Sequence, residues 1–147
     1  MNDWLTLDDP RFEVRFRYPS VTPGGEPVGI TENQQDEALR VLVRSASREA
    51  YVELIRYPPM PAEQEYQTHK PYLEERFGAG AVTPLTETEV ASRPAHTYAF
   101  AWPEGEREVL LLRTAAATYR VIFNSRSALN RQIINTIEIL EQTASTR

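Results

Sequence analysis

Alternation of apolar and polar positions with a period of two runs through most of the chain. In "RFEVRFRY" (11–18), Phe12, Val14, Phe16 and Tyr18 fall on one side and Arg11, Glu13, Arg15 and Arg17 on the other. That pattern predicts a half-buried strand. The segment "SVTPGGEPVG" (20–29) holds three glycines and two prolines and reads as a loop. Two further strands are predicted over "ALRVLVRSAS" (38–47) and "EAYVELIRY" (49–57), with "SASRE" as their hairpin connection. Proline at 58, 59 and 61 then ends the strand, and a helix is predicted over Ala62 to Phe77, with Tyr66, Leu73 and Phe77 as its apolar stripe. Gly78 suits its C-terminal cap, while Pro71 predicts a kink or a short break. Four more strands are predicted over 81–91, 95–102, 107–115 and 117–125, with "PEGE" (103–106) as a tight turn. An amphipathic helix is predicted over 127–143, on a stripe of Leu129, Ile133, Ile137 and Leu140 with Ile134 and Ile139 on its flanks.

The predicted order is three strands, helix, four strands, helix. Two helices cannot supply the crossovers of a parallel sheet, so short connections imply antiparallel pairing. The expected fold is α+β: a single twisted antiparallel sheet of about six to seven strands, with one helix after the third strand and a C-terminal helix packed on it. The 147 residues fit one domain, 1–147, with no repeat or linker.

Composition narrows the chemistry. The chain has no cysteine, which excludes disulfides, a thiol nucleophile and thiolate metal sites. Its net charge of -5 argues against nucleic acid as a partner. The start "MNDWLTLDDPRF" lacks a basic, apolar leader and no window has the length of a membrane span, so a soluble cytoplasmic protein is expected. The cations are lopsided, fifteen arginines against Lys70 alone.

No catalytic constellation is expected. Glu65 and His69 stand four residues apart on one helix face, but a metal needs a third ligand, and the pair reads as a surface interaction of the helix. His69 is then incidental, and His96 falls in a strand. Asp8 and Asp9, Glu74 and Glu75, and the trio Glu104, Glu106 and Glu108 read as solvated charge. No serine lies in a nucleophile-elbow motif, and "GGEPVG" and "GAG" lack phosphate-cradling spacing. The protein is therefore expected to have no enzymatic activity, no metal and no cofactor.

At the level of element order, "FRYPS", the passage from "YVELIRYPP" into "PAEQEYQTHKPYLEERFG", the block of antiparallel strands, and the closing helix after "YRVIFNS" resemble the PsbP/Mog1-like family. The resemblance covers nearly the whole chain, although "SVTPGG" stands where many such proteins carry a Gly-Trp pair. It implies a non-catalytic binding module in an uncharacterised bacterial member. Relatives include an extrinsic photosystem subunit and a regulator of a small GTPase.

Two binding surfaces are expected. Arg15, Arg17, Arg40, Arg44, Arg56 and Arg120, with Arg11, occupy strand positions opposite the large apolar side chains, and would form an arginine-rich band suited to an acidic protein partner. Leu42, Val52, Leu54 and Ile122 are read on that same face, so part of it needs a cover. The alternative is a small apolar or anionic ligand held in a pocket between sheet and helices, lined by Tyr51, Tyr66, Tyr98, Phe100 and Trp102.

Overall fold

A computed structural model describes residues 4–35, 38–102 and 105–140. The strands are β1 (Trp4–Asp9), β2 (Val14–Pro19), β3 (Gly29–Gln35), β4 (Ala38–Arg44) and β5 (Tyr51–Tyr57), then helix α1 (Ala62–Phe77). β6 (Thr86–Val90), β7 (Arg93–Trp102), β8 (Gly105–Arg113) and β9 (Thr118–Asn124) follow, then α2 (Ala128–Ile134) and a two-residue β10 (Glu138–Ile139). The class is α+β and every strand pair is antiparallel.

The expected single sheet is corrected to two. A seven-stranded sheet has the order β3-β4-β5-β9-β8-β7-β6, and a three-stranded sheet has the order β1-β2-β10. The opening strand belongs to the smaller sheet, and its first residues, Phe12 and Glu13, form a turn closed by Phe12 N donating to Asp9 O at 3.0 Å. Because β1 and β3 precede it, α1 follows the fifth strand rather than the third.

One face of the large sheet packs Val41, Val43, Val52, Leu54, Leu110, Leu112, Val121 and Phe123 against Phe12, Val14 and Phe16 of the small sheet and Leu129 and Ile133 of α2. The Tyr119 hydroxyl crosses this layer to the Phe12 carbonyl at 2.6 Å. On the other face α1 covers part of β7, β8 and β9, packing Ala62, Tyr66 and Leu73 on Tyr98, Phe100, Val109, Leu111 and Ile122. The layers are thus helix, large sheet, and small sheet with α2. Across β4 and β5 the α1 face remains half-buried at Arg40, Leu42, Tyr51 and Ile55, and this uncovered half defines one wall of a cleft.

Helix α1 begins at the expected residue, with Pro61 in extended conformation at its N-cap and Glu63 and Glu65 in the first turn, where carboxylates oppose the helix dipole. The approach is pinned by Thr118, whose hydroxyl accepts from Met60 N at 2.7 Å and donates to Met60 O at 2.9 Å. Gly78 closes the other end with φ 114° and its N–H on Glu74 O. Pro71 causes no break, since the helix is continuous from Ala62 to Phe77.

The C-terminal helix is shorter than predicted. α2 ends at Ile134, and the Thr136 hydroxyl then bonds both Ile133 O at 2.7 Å and Arg17 N at 2.8 Å. This turns the chain back to pair Glu138 and Ile139 with β2. Asn, Thr and Ile are weak helix formers, so tertiary pairing prevails over the apolar periodicity. The Pro103–Glu104 part of the predicted turn and positions 141–143 of the predicted helix lie outside the described residues.

Candidate functional site: a cleft between α1 and the large sheet

The buried side of α1 carries more than its apolar stripe. Residues 62, 65, 66, 69 and 73 face the sheet, and this spacing of three and four delivers Glu65 and His69 to the interior together with Tyr66 and Leu73. The Glu65 side chain is 2 % exposed and that of His69 11 %, so the expected surface pair is corrected to a buried one. Its partners come from distant strands. The Glu65 carboxylate accepts from the Arg120 Nη1 at 2.9 Å through one oxygen and from the Tyr98 hydroxyl at 3.1 Å through the other. The His69 Nδ1 lies 2.5 Å from the same Tyr98 oxygen.

The electrostatics follow from burial. Loss of water, and then the Arg120 charge, lower the pKa of His69 to about 3, so the imidazole is neutral at physiological pH. Burial, and then the Glu65 charge, push the Tyr98 and Tyr57 hydroxyls well up, and both stay protonated. For Arg120, 20 % exposed, burial opposes the charge but the surrounding Tyr57, Glu65 and Tyr98 prevail and its pKa is raised. Its Nε is buried with no hydrogen-bond partner among the described residues.

A neutral buried histidine has a consequence for stability. The unfolded chain protonates its imidazole near the ordinary value of 6.5, whereas the folded chain resists down to about 3. The contribution of neutral His69 is therefore complete above pH ~6.5 and falls on acidification, by about 1.4 kcal/mol per pH unit at the steepest. Urea unfolding should show about 2 kcal/mol of loss between pH ~6.5 and ~5, and His69→Gln should remove most of that slope. An equal slope in both chains would mean that His69 titrates freely.

Above this network the cleft opens in two neighbouring lobes of about 290 and 430 Å³, which share His69, Tyr72 and Arg120 as lining residues. The first runs from Arg40, Tyr51, Glu53 and Ile55 across to Tyr72, Arg76 and Phe77 of α1. Its far end is aromatic: Phe77 stacks on Phe100 at 5.6 Å between centroids and tilts on Trp102 at 5.3 Å. Arg107 lies between the Trp102 and Tyr51 rings, 4.7 and 4.8 Å from their centroids. Such stacking fixes both rings at the cost of one buried guanidinium.

Charge in the cleft is asymmetric. Arg40 is paired with Glu53 and Arg120 with Glu65. Arg76, at the mouth, donates to the Tyr72 hydroxyl at 3.1 Å and lies over the Phe77 ring at 5.4 Å, with no carboxylate within ion-pairing distance among the described residues. Four guanidinium groups, those of Arg40, Arg76, Arg107 and Arg120, line the two lobes against the two carboxylates of Glu53 and Glu65, in a chain of net charge -5.

Of the aromatics expected at a pocket, Tyr51, Phe100 and Trp102 line the cleft. Tyr66 and Tyr98 lie beneath it: Tyr66 donates to Thr83 O at 2.9 Å and its ring meets that of Tyr98 edge-on at 5.0 Å. The expected arginine band is divided. Arg40 and Arg120 line the cleft, and Arg44 stands exposed at the end of β4 on the same sheet face. Arg15 and Arg17 are on the small sheet, Arg15 paired with Asp8 and Glu138. Arg56 falls on the opposite face of β5, bound to Glu13 at 2.8 Å, in the layer that holds Val52 and Leu54. The sequence reading missed Arg76, Tyr72 and Phe77 as cleft residues. They share the helical spacing of His69, Tyr72, Arg76, and that signal was available. No group of three or more potential metal ligands occurs among the described residues, and no helix there is long and apolar enough to cross a membrane. No protein-family model matches the chain, and no curated protein matches it.

Proposed function

We propose that the protein is a non-enzymatic binding domain for a small amphipathic anion, an apolar or aromatic body with a carboxylate, held in the cleft between α1 and the large sheet. The observation that carries this reading is the coincidence, at one end of the cleft, of stacked apolar rings with the cation Arg76, which has no carboxylate partner among the described residues. Phe77, Phe100 and Trp102 supply contact area at low entropic cost, and a guanidinium beside them orients an acidic group. Binding rather than catalysis is supported by the state of His69: an imidazole that protonates only near pH 3 is a poor general base at neutral pH. The PsbP/Mog1-like resemblance belongs to the same reading, as a non-catalytic cytoplasmic module. A protein partner is the weaker alternative, because the arginines that motivated it are spread over three surfaces.

Titration calorimetry with phenylpropanoate and the uncharged phenylpropanol tests the proposal. The acid should bind more tightly, and Arg76→Gln should weaken it roughly three- to tenfold while leaving the alcohol unchanged. Arg76 is exposed at the mouth, so the variant keeps the fold. Equal affinity for acid and alcohol, or no binding of either, contradicts the proposal.

A further inference from the structure

The site holds a second recognition element, set by the hydrogen-bond order of the buried network. Tyr98 has one hydroxyl proton, and the Glu65 carboxylate, charged and already paired with Arg120, is the stronger acceptor for it. The short contact between the Tyr98 oxygen and Nδ1 of His69 then requires the proton on Nδ1. Glu65 accepts from Tyr98 and Tyr98 accepts from His69, so one tautomer is fixed by a carboxylate two hydrogen bonds away. The remaining ring nitrogen, Nε2, presents a lone pair. It makes no hydrogen bond within the described residues and is not among the sealed polar atoms. His69 lines both lobes of the cleft.

Resting on the reading above, we infer that His69 Nε2 accepts a hydrogen bond from the ligand, so that the preferred ligand class is a hydroxylated or N–H-bearing aromatic carboxylate. The helix sets the spacing. His69 and Arg76 are seven residues apart on one face, on the order of 10 Å along the axis. Between them Tyr72 continues the same face, and Phe100 sits across from it with its ring 6.4 Å from that of His69. The ligand carries its donor at one end and its acid at the other, with a flat apolar body between. Para-hydroxyphenylpropanoate has that outline. The neutral imidazole matters here as an acceptor: a protonated one would offer a donor and would repel the proton of the hydroxyl. The low pKa keeps the lone pair available across the physiological range.

Calorimetry on the whole chain with para-hydroxyphenylpropanoate and phenylpropanoate separates the two proposals. The hydroxylated acid is expected to bind about tenfold more tightly, the value of one hydrogen bond to a desolvated acceptor. In His69→Phe the two acids should become equal. Equal binding to the native chain overturns the inference and leaves the cleft as an anion site; binding of neither acid overturns the cleft reading itself. Nitrogen-15 spectra of the native imidazole provide a measurement that does not depend on the variant folding. Nε2 should appear as the unprotonated nitrogen and move upfield when the hydroxylated acid is added. An unmoved Nε2 resonance at saturating ligand, or a proton on Nε2 in the free protein, contradicts the inference.

Discussion

Replacing Glu65 by leucine is expected to cost about 3–5 kcal/mol of stability, the largest effect of any single cleft substitution. The change leaves Arg120 charged in a site where only 20 % of its side chain meets solvent, and it removes the acceptor of the Tyr98 hydroxyl. Hydrophobic gain from leucine cannot offset an uncompensated guanidinium, because the cost of desolvating it stays while its counterion is gone. Removing both charges has the opposite prognosis. A Glu65→Leu, Arg120→Met chain should recover most of the loss, since a buried ion pair replaced by apolar groups of similar volume is close to neutral. Urea unfolding of the four chains of this cycle gives the coupling energy directly. Losses that simply add would show that Arg120 does not depend on Glu65.

Asn130→Ala is expected to cost about 3 kcal/mol, or roughly 6–12 °C in melting temperature for a chain of this size. Asn130, fully buried in the first turn of α2, is the polar pin between three segments. Its side-chain oxygen accepts from Tyr51 N at 2.9 Å, and its amide donates to Glu49 O at 3.1 Å and Asn124 O at 2.9 Å. The substitution strands these backbone groups without water to replace the lost partner. Tyr51 begins β5 and stands on the cleft wall beside Arg107, so the same substitution should loosen that wall. Thermal unfolding followed by circular dichroism checks the magnitude; a shift under about 2 °C would show that the three bonds are redundant.

The parts of the fold that were legible in the sequence are those where local chemistry and tertiary environment agree. α1 is bounded by prolines and by Gly78, and its limits match those predicted. The alternation of Tyr98, Phe100 and Trp102, and of Tyr119, Val121 and Phe123, marks two strands correctly because each turns one face toward a core, with Trp102 half-buried at the end of its strand. β1 and β3 escaped notice for the converse reason. "WLTLDD" and "GITENQQ" border their sheets, and partners on one side only let polar residues fill positions that a central strand would give to apolar ones. The apolar periodicity of the last segment was real but ambiguous. Ile137 is buried, yet from the turn that follows α2 and not from the helix itself.

The site was half legible. Alternation tells which residues of a strand share a face, not which faces of two strands coincide, so the sequence alone does not separate Arg56 from Arg40 and Arg120. Pairing Arg40 with Ile55, and Ile55 with Arg120, aligns the two arginines across β5 and sends Arg56 to the other side. Local spacing gives His69 no role, because the groups that give it meaning, Tyr98 and Arg120, arrive from strands 29 and 51 positions later. One local sign existed. The stripe Tyr66, Leu73, Phe77 leaves a gap at 69 and 70, and a histidine in such a gap on a sheet-facing helix stands at a buried position.

The cleft as an anion-binding site is tested most directly by following backbone amide chemical shifts while para-hydroxyphenylpropanoate is titrated into the native chain. The account predicts saturable shifts concentrated at residues 69–77 of α1, 51–55 of β5 and 100–102 of β7. Saturable shifts clustered instead around Arg15, Arg17 and Thr136 on the small sheet, or no saturable shift at all, would contradict it.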